Sequence, residues 1–164
     1  MDFVSIIMGS KSDYEVMKNC SDTLEMFNVK YEMIISSAHR SPKRTKDYIK
    51  KAEEKGAKVF IAAAGMAAHL AGALAAGTTK PVIGVPMKGG AMDGMDAMLS
   101  TVQMPSGMPV ATVALGKAGA TNSAYLAMQI LAITDKELAA KLIEDRIIKE
   151  KKVETDSKEI EVII

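Results

Sequence analysis

Apolar positions along this chain fall into short continuous runs that alternate with stretches of helical spacing. Phe3-Val4-Ser5-Ile6-Ile7-Met8 is the first run, closed by Gly9, and predicts a buried strand. Val16, Met17, Cys20, Leu24 and Phe27 then share one helical face. Ser12 and Glu15 predict a capping box at the start of that helix. Lys30 to Ser36 predicts a second strand. Ser41-Pro42 opens a second helix, with Ser as N-cap and Pro at the first helical position, and Gly56 closes it in the left-handed conformation. Lys58 to Ala64, Pro81 to Pro86 and Pro109 to Leu115 predict strands three, four and five. Ala118 to Ile133 and Asp135 to about Lys152 predict helices, the latter with a stripe of Leu138, Leu142, Ile143 and Ile147. Short apolar strands alternating with helices predict an α/β fold of three layers, αβα. Its centre is a doubly wound five-stranded parallel sheet, and an extra C-terminal helix follows.

Charge divides the chain. Residues 135–164 carry 7 Lys/Arg against 9 Asp/Glu, and residues 1–134 carry 14 against 11. The sequence therefore predicts a compact α/β body at 1–134 and a charged helix and tail at 135–164. The overall net charge of +1 lacks the basic excess of a nucleic-acid surface, so no nucleic acid is expected. A single cysteine, Cys20, sits on an apolar helix face and reads as core, and no disulfide framework exists. The N-terminus has neither a secretory nor a transit pattern, and no apolar stretch is long enough to span a membrane. A soluble, cytoplasmic protein is expected.

Among 164 residues there is no Trp, 3 Phe and 4 Tyr, against 23 Ala, 13 Met and 12 Gly. Small side chains bury little area each, so stability requires close backbone packing or help from neighbouring subunits. Twelve of the sixteen residues from Ala62 to Gly77 are Ala or Gly.

A doubly wound sheet places ligands beyond the carboxyl ends of its strands, and the polar, small-residue loops lie there. Gly9-Ser10-Lys11-Ser12-Asp13 follows strand one, and its amides at a helix start suit an anion as well as an ordinary helix entry. Ser37-Ala38-His39-Arg40 follows strand two. His39 can exchange protons near neutral pH, and Arg40 can grip a phosphate with two N–H groups. Gly65-Met66-Ala67-Ala68-His69-Leu70 follows strand three. His69 fits either a site or a structural hydrogen bond in a tight interface. Met87-Lys88-Gly89-Gly90 and Gly116-Lys117-Ala118-Gly119-Ala120 complete a ring of small-residue loops. Zinc spacing, an acidic calcium or magnesium loop, a P-loop, a dinucleotide fingerprint and a G-x-S-x-G elbow are all lacking. The residues point to metal-free proton transfer on a small phosphorylated metabolite.

At these loops the sequence resembles the N5-carboxyaminoimidazole ribonucleotide mutases, the class I PurE family of purine biosynthesis. The resemblance is carried by MGSKSD at 8–13, SAHR at 37–40, AAHL at 67–70, VQMPSG at 102–107 and GKAGATNSA at 116–124, in that order over about residues 2–134. It implies a flavodoxin-like sheet and a homo-octamer with shared active sites and the C-terminal helix packed on a neighbour. It also implies a nucleotide substrate with no metal and no organic cofactor. The reaction implied moves a carboxyl group from the exocyclic nitrogen of an aminoimidazole ribonucleotide to ring carbon C4, through decarboxylation, trapping of CO2 and recarboxylation. Carried over by motif, His39 is the acid/base and His69 a second catalytic residue. Ser10, Ser12, Asp13, Ser37, Ala38, Arg40, Gly65, Ala67, Ala68 and Leu70 bind substrate. Where the family's usual loop reads GGAAHLPG, this chain has GMAAHLAG, with Met66 for Gly and Ala71 for Pro.

Two other readings compete. One is the class II enzyme, which carboxylates aminoimidazole ribonucleotide directly with CO2. The other is a non-catalytic, receiver-like binding module on the same fold. A receiver needs an acidic cluster at its strand ends, and Asp13 is the only acidic residue in the first two such loops. Val153 to Ile164 is either free or docks Ile160, Val162, Ile163 and Ile164 on another chain.

Overall fold

A computed structural model describes residues 2–163. Five parallel strands, β1 (Phe3–Met8), β2 (Tyr31–Ile35), β3 (Ala57–Ala64), β4 (Val82–Pro86) and β5 (Ala111–Thr112), lie in the order β2-β1-β3-β4-β5. This is the flavodoxin-like winding, whose direction reverses between β1 and β3. The helices are α1 (Tyr14–Met26), α2 (Pro42–Lys55), α3 (Leu70–Ala75), α4 (Met95–Val102), α5 (Gly116–Ala132) and α6 (Lys136–Ile160). The chain forms two compact units, Met1–Met128 and Gln129–Ile164, where the sequence places its division at 134/135.

In the first unit β1 and β4 are buried at every residue and β3 at most of them, as strands covered on both faces must be. On one face Phe3, Ile7, Phe60, Ala62 and Val82 pack with Ile49 and Ala52 of α2 and with Leu70, Ala71, Leu74 and Ala75 of α3. On the other lie α1 and α5, joined by Phe27 and Tyr125 edge to face at 5.8 Å and by Ser123 Oγ, 3.7 Å from Cys20 Sγ. Burial pushes the Cys20 thiol up to about 12, so it is an inert core group.

Alanine supplies much of this packing: Ala52, Ala62, Ala71, Ala75, Ala97, Ala120, Ala124 and Ala127 are all buried. Small residues let helices approach closely, and two glycines show how closely. A Cβ on Gly84 in β4 would lie 2.3 Å from Thr101 Cγ2 of α4 and 3.3 Å from Ala71 Cβ of α3. A Cβ on Gly119 would lie 2.2 Å from the Ala114 carbonyl oxygen.

Several local expectations need correction. Residues 11–13 form a 3-10 turn before α1, so Ser10, in extended backbone, is the cap, and its Oγ accepts from the Ser12 amide at 3.3 Å. The Ser12–Glu15 capping box does not form. Ser41 holds the cap position of α2, with Pro42 first in the helix, but its Oγ bonds the amide and carbonyl of Ser37 instead. Gly56 ends α2 at φ +110, as predicted. The predicted strand 109–115 shrinks to two paired residues, since Pro109 has no N–H to give and Ala114 takes φ +137. The sequence did not predict α3 or α4.

The second unit is dominated by α6. The Asp135 side chain caps it by accepting from the Leu138 amide at 3.0 Å. It runs on past Lys152 to Ile160, because no Gly or Pro occurs after Gly119 and charged pairs at i,i+4 line it: Glu137–Lys141, Asp145–Lys149 and Lys152–Asp156. Val153 to Ile160 is thus helical with exposed side chains, and Ile164 lies outside the described residues.

Replacing Gly119 by Ala is expected to cost about 1–3 kcal/mol or more, because the clash is with backbone. Urea unfolding reads this as a lower midpoint at unchanged slope; an unchanged midpoint would show that the start of α5 can shift freely.

Candidate active site

The strand ladder carries the site loops to one level. Beyond β1 the Gly9 amide still donates to the Ala63 carbonyl at 3.0 Å. The Ser36 amide donates to Met8 at 2.9 Å, and the Met87 amide to Ala64 at 2.9 Å. Four chain segments therefore leave β1, β2, β3 and β4 side by side. They enclose a cleft of 660 Å3, within the usual range for small-molecule sites.

From the β1 end come Gly9, Ser10, Ser12 and Asp13. Ser12 Oγ lies 3.0 Å from Ser10 Oγ and 3.5 Å from Asp13 Oδ1, a short polar chain at the mouth of the 3-10 turn. Burial raises the Asp13 carboxyl above its ordinary range, and hydrogen bonds from the Ser10 amide and the Ser12 hydroxyl pull it partly back.

From the β2 end come Ser37, Ala38, His39 and Arg40. This loop is braced internally: Ser37 Oγ accepts from the Arg40 amide at 3.1 Å, and the Ser41 amide bonds the Ser37 carbonyl at 2.8 Å. A buried Ser36–Thr45 hydroxyl pair, 2.8 Å apart, ties its root to α2. Arg40 Nη2 donates to the Gly9 carbonyl at 3.0 Å, linking the two loops and leaving other guanidinium N–H groups for an anion.

From the β3 end come Ala64, Gly65, Met66, Ala67, His69 and Leu70. His39 and His69, thirty positions apart in sequence, face each other with ring centroids 4.9 Å apart and planes tilted by 41°. Of the residues assigned from sequence, all but Ala68 line the cleft. Ala68 is buried, its amide turned back to the Met66 carbonyl at 2.8 Å. From the β4 end come Met87, Lys88, Gly89 and Gly90. Sequence placed them in the ring of loops without assigning them to the site; their position directly after Pro86, at a strand end, was the available signal. Gly116 to Ala120 is not a loop but the first turn of α5, outside the cleft lining.

Two histidines, a guanidinium, an ammonium and a half-buried carboxylate around one crevice can hold an anionic metabolite and move protons on it. Among the described residues no group of three or more His, Cys, Asp or Glu could hold a metal ion. Among the described residues no helix is long and apolar enough to cross a membrane.

A doubly wound α/β protein with its polar residues at the β1/β3 reversal belongs to the class that binds small ligands at a switch point. Within that class the chain belongs to the AIR carboxylase family, whose profile matches residues 3–152. It is 56% identical over 143 residues to the N5-carboxyaminoimidazole ribonucleotide mutase of Bacillus subtilis, covering 87% of this chain and 88% of that one. It is 52% identical over 158 residues to the enzyme of the same name from Pyrococcus horikoshii, covering 96% and 88%. The crystal structure of Treponema denticola PurE superposes with a TM-score of 0.88 at 26% identity, over 99% of this chain and all of that one.

Because the folded state raises the Asp13 carboxyl, ionised Asp13 opposes folding at neutral pH. The cost fades as pH falls through the raised value toward the unfolded 3.8. Asp13→Asn is therefore expected to raise Tm at pH 7, with the gain shrinking toward pH 4. Thermal unfolding at both pH values checks this; an equal gain at both would contradict it.

Proposed function

We propose that this chain is an N5-carboxyaminoimidazole ribonucleotide mutase, moving a carboxyl group from the exocyclic nitrogen of the nucleotide to ring carbon C4. The observation that carries the reading is the facing pair His39 and His69, 4.9 Å apart in the crevice of a chain that belongs to this family. Relatives that bear the mutase name, at 56% and 52% identity, favour it over direct carboxylation.

In this reading Arg40 takes the phosphate, with Ser10 and Ser12 adding hydroxyl donors at the helix entry. Asp13 accepts from the ribose hydroxyls. The bond between the exocyclic nitrogen and the carboxyl carbon breaks, releasing CO2, and His39 gives the nitrogen a proton. C4 then attacks the same CO2 with the ring's electron pair, forming the new carbon–carbon bond. His39 takes the C4 proton and restores the aromatic ring, so one imidazole returns to its starting state. His69 borders the same space and orients the carboxyl group. Neither metal nor organic cofactor takes part.

The same reading carries assembly and compartment: a homo-octamer in the cytoplasm. Met92, Met95, Leu99 and Val102, all about half exposed or more, give α4 and the turn before it an apolar face at i, i+3, i+7, i+10 spacing. Ile143 and Ile147 of α6 are also exposed.

Incubating the protein separately with the carbamate nucleotide and with aminoimidazole ribonucleotide plus bicarbonate tests the reaction. Efficient turnover only of the latter would reject the mutase. His39→Asn is expected to lower kcat by about 10²–10⁴-fold with nucleotide affinity little changed; retained turnover would reject the acid/base role. Light scattering should give about eight times the chain mass of 17.5 kDa, and a monomeric mass would reject the octamer.

A further inference from the structure

Gly72 lies inside α3, between Ala71 and Ala73. Glycine weakens a helix interior relative to alanine, so its use there calls for a reason. The reason is room. A Cβ on Gly72 would lie 3.2 Å from Cε and 3.3 Å from Sδ of Met104, inside the roughly 3.5–4.0 Å at which carbon atoms pack best. Met104 is half-buried and comes from the loop between α4 and β5, in the VQMPSG stretch at 102–107 that the proposed chemistry leaves unused. That loop is held on both sides of Met104. The Gln103 amide donates to the Leu99 carbonyl at 3.2 Å, and the Met108 amide to the Pro105 carbonyl at 3.1 Å, around Gly107 at φ +89.

The contact bears on the site because α3 starts at His69. The His69 carbonyl accepts from the Ala73 amide at 2.9 Å, so the backbone that carries this imidazole belongs to the first turn of the helix. Leu70, Ala71 and Leu74 seat one side of α3 in the core, with Ala71 Cβ 3.3 Å from where a Cβ on Gly84 would lie. Successive helical residues point about 100° apart, so Gly72 meets Met104 from a second direction. A helix of six residues makes fewer than two turns and has little contact of its own to resist rolling. Two seats in different directions fix its rotation.

We infer that Met104 is a positioning residue: lodged against Gly72, it sets the rotation of α3 and thereby the place of the His69 imidazole opposite His39. The inference rests on the mutase reading. A reacting group displaced by about 1 Å can cost about 10²-fold in rate. The phosphate and ribose contacts proposed for Arg40, Ser10 and Asp13 come from other strand ends, so a rolled α3 leaves them in place. The loss therefore falls on kcat and spares nucleotide affinity.

A size exchange tests this. Met104→Ala takes the thioether away, and Gly72→Ala puts a methyl group in its seat. Each is expected to lower kcat for interconversion of the carbamate and the C4-carboxylated nucleotide by about tenfold or more, with KM little changed. The double variant, whose new methyl fills part of the vacated space, is expected to recover most of the lost kcat. Met104→Leu, close in volume, should behave like the parent. A contact that only stabilises the fold would lower Tm and leave the kcat of the folded enzyme as it was. Full kcat in folded Met104→Ala would overturn the assignment and leave the mutase reading in place. So would a loss that appears in KM alone, or a folded double variant no better than the worse single one. Should Gly72→Ala fail to fold, Met104→Ala against Met104→Leu decides by itself. A parent protein that interconverts nothing would overturn the mutase reading, and this assignment with it.

Discussion

β1 and β3 pair in parallel as far as Met8 and Ala63, and the Gly9 amide continues the ladder to the Ala63 carbonyl after β1 has ended. The site depends on this pair. The strand order reverses there, so the chain leaves β1 toward α1 on one face and β3 toward α3 on the other. The crevice between the departing segments is the cleft. Both strands are almost wholly buried, so a slip in their register would exchange side chains between two packed faces and disrupt both. The levels of Ser10, Asp13, Gly65 and His69 are thereby set by packing far from any ligand. Arg40, bonded to the Gly9 carbonyl, brings the β2 loop to the same level.

Sequence made the scaffold legible where burial is two-sided and polar punctuation is sharp. β1, β3 and β4 are continuous apolar runs, and Pro42 and Gly56 mark the ends of α2 within a residue. It failed where the deciding signal is not periodicity. α3 lies in a stretch so rich in Ala and Gly that no polar face contrasts with an apolar one. β5 needed the pairing partners Ile83 and Gly84 to define it. The cap at α1 moved from Ser12 to Ser10 because a 3-10 turn intervenes, and hydroxyls at either position look alike from sequence.

The site was legible as a set of strand-end loops, and the polar residues assigned to it from sequence all reach the cleft. The contacts among them were not legible. Nothing in spacing says that His39 and His69 meet at 4.9 Å, since that distance depends on β2 and β3 both flanking β1. Nor does it say that Ala68 turns inward while Ala67 lines the cleft; the single bond from the Ala68 amide to the Met66 carbonyl decides between neighbours of identical chemistry. The alanine-rich composition proved to serve the core directly. Ala71 of α3 and Thr101 of α4 crowd Gly84, which only short side chains allow.

The groups that oppose stability gather at the strand ends. Asp13 is a carboxylate kept partly from water, and Met66 is held in a left-handed turn. Neither conformation is the lowest available to its residue in isolation, so each must be imposed by what surrounds it. The surroundings that impose them are the ladder bonds at Gly9, Ser36 and Met87, the Ser36–Thr45 pair and the close packing of Gly65 on Met87. Ser36 and Thr45 stand outside the cleft lining, whereas Gly9, Gly65 and Met87 border it and brace it at the same time. Their bracing runs through main-chain bonds and close packing, so the side chain at an exposed position such as Met66 can vary without disturbing the sheet that aims the loops.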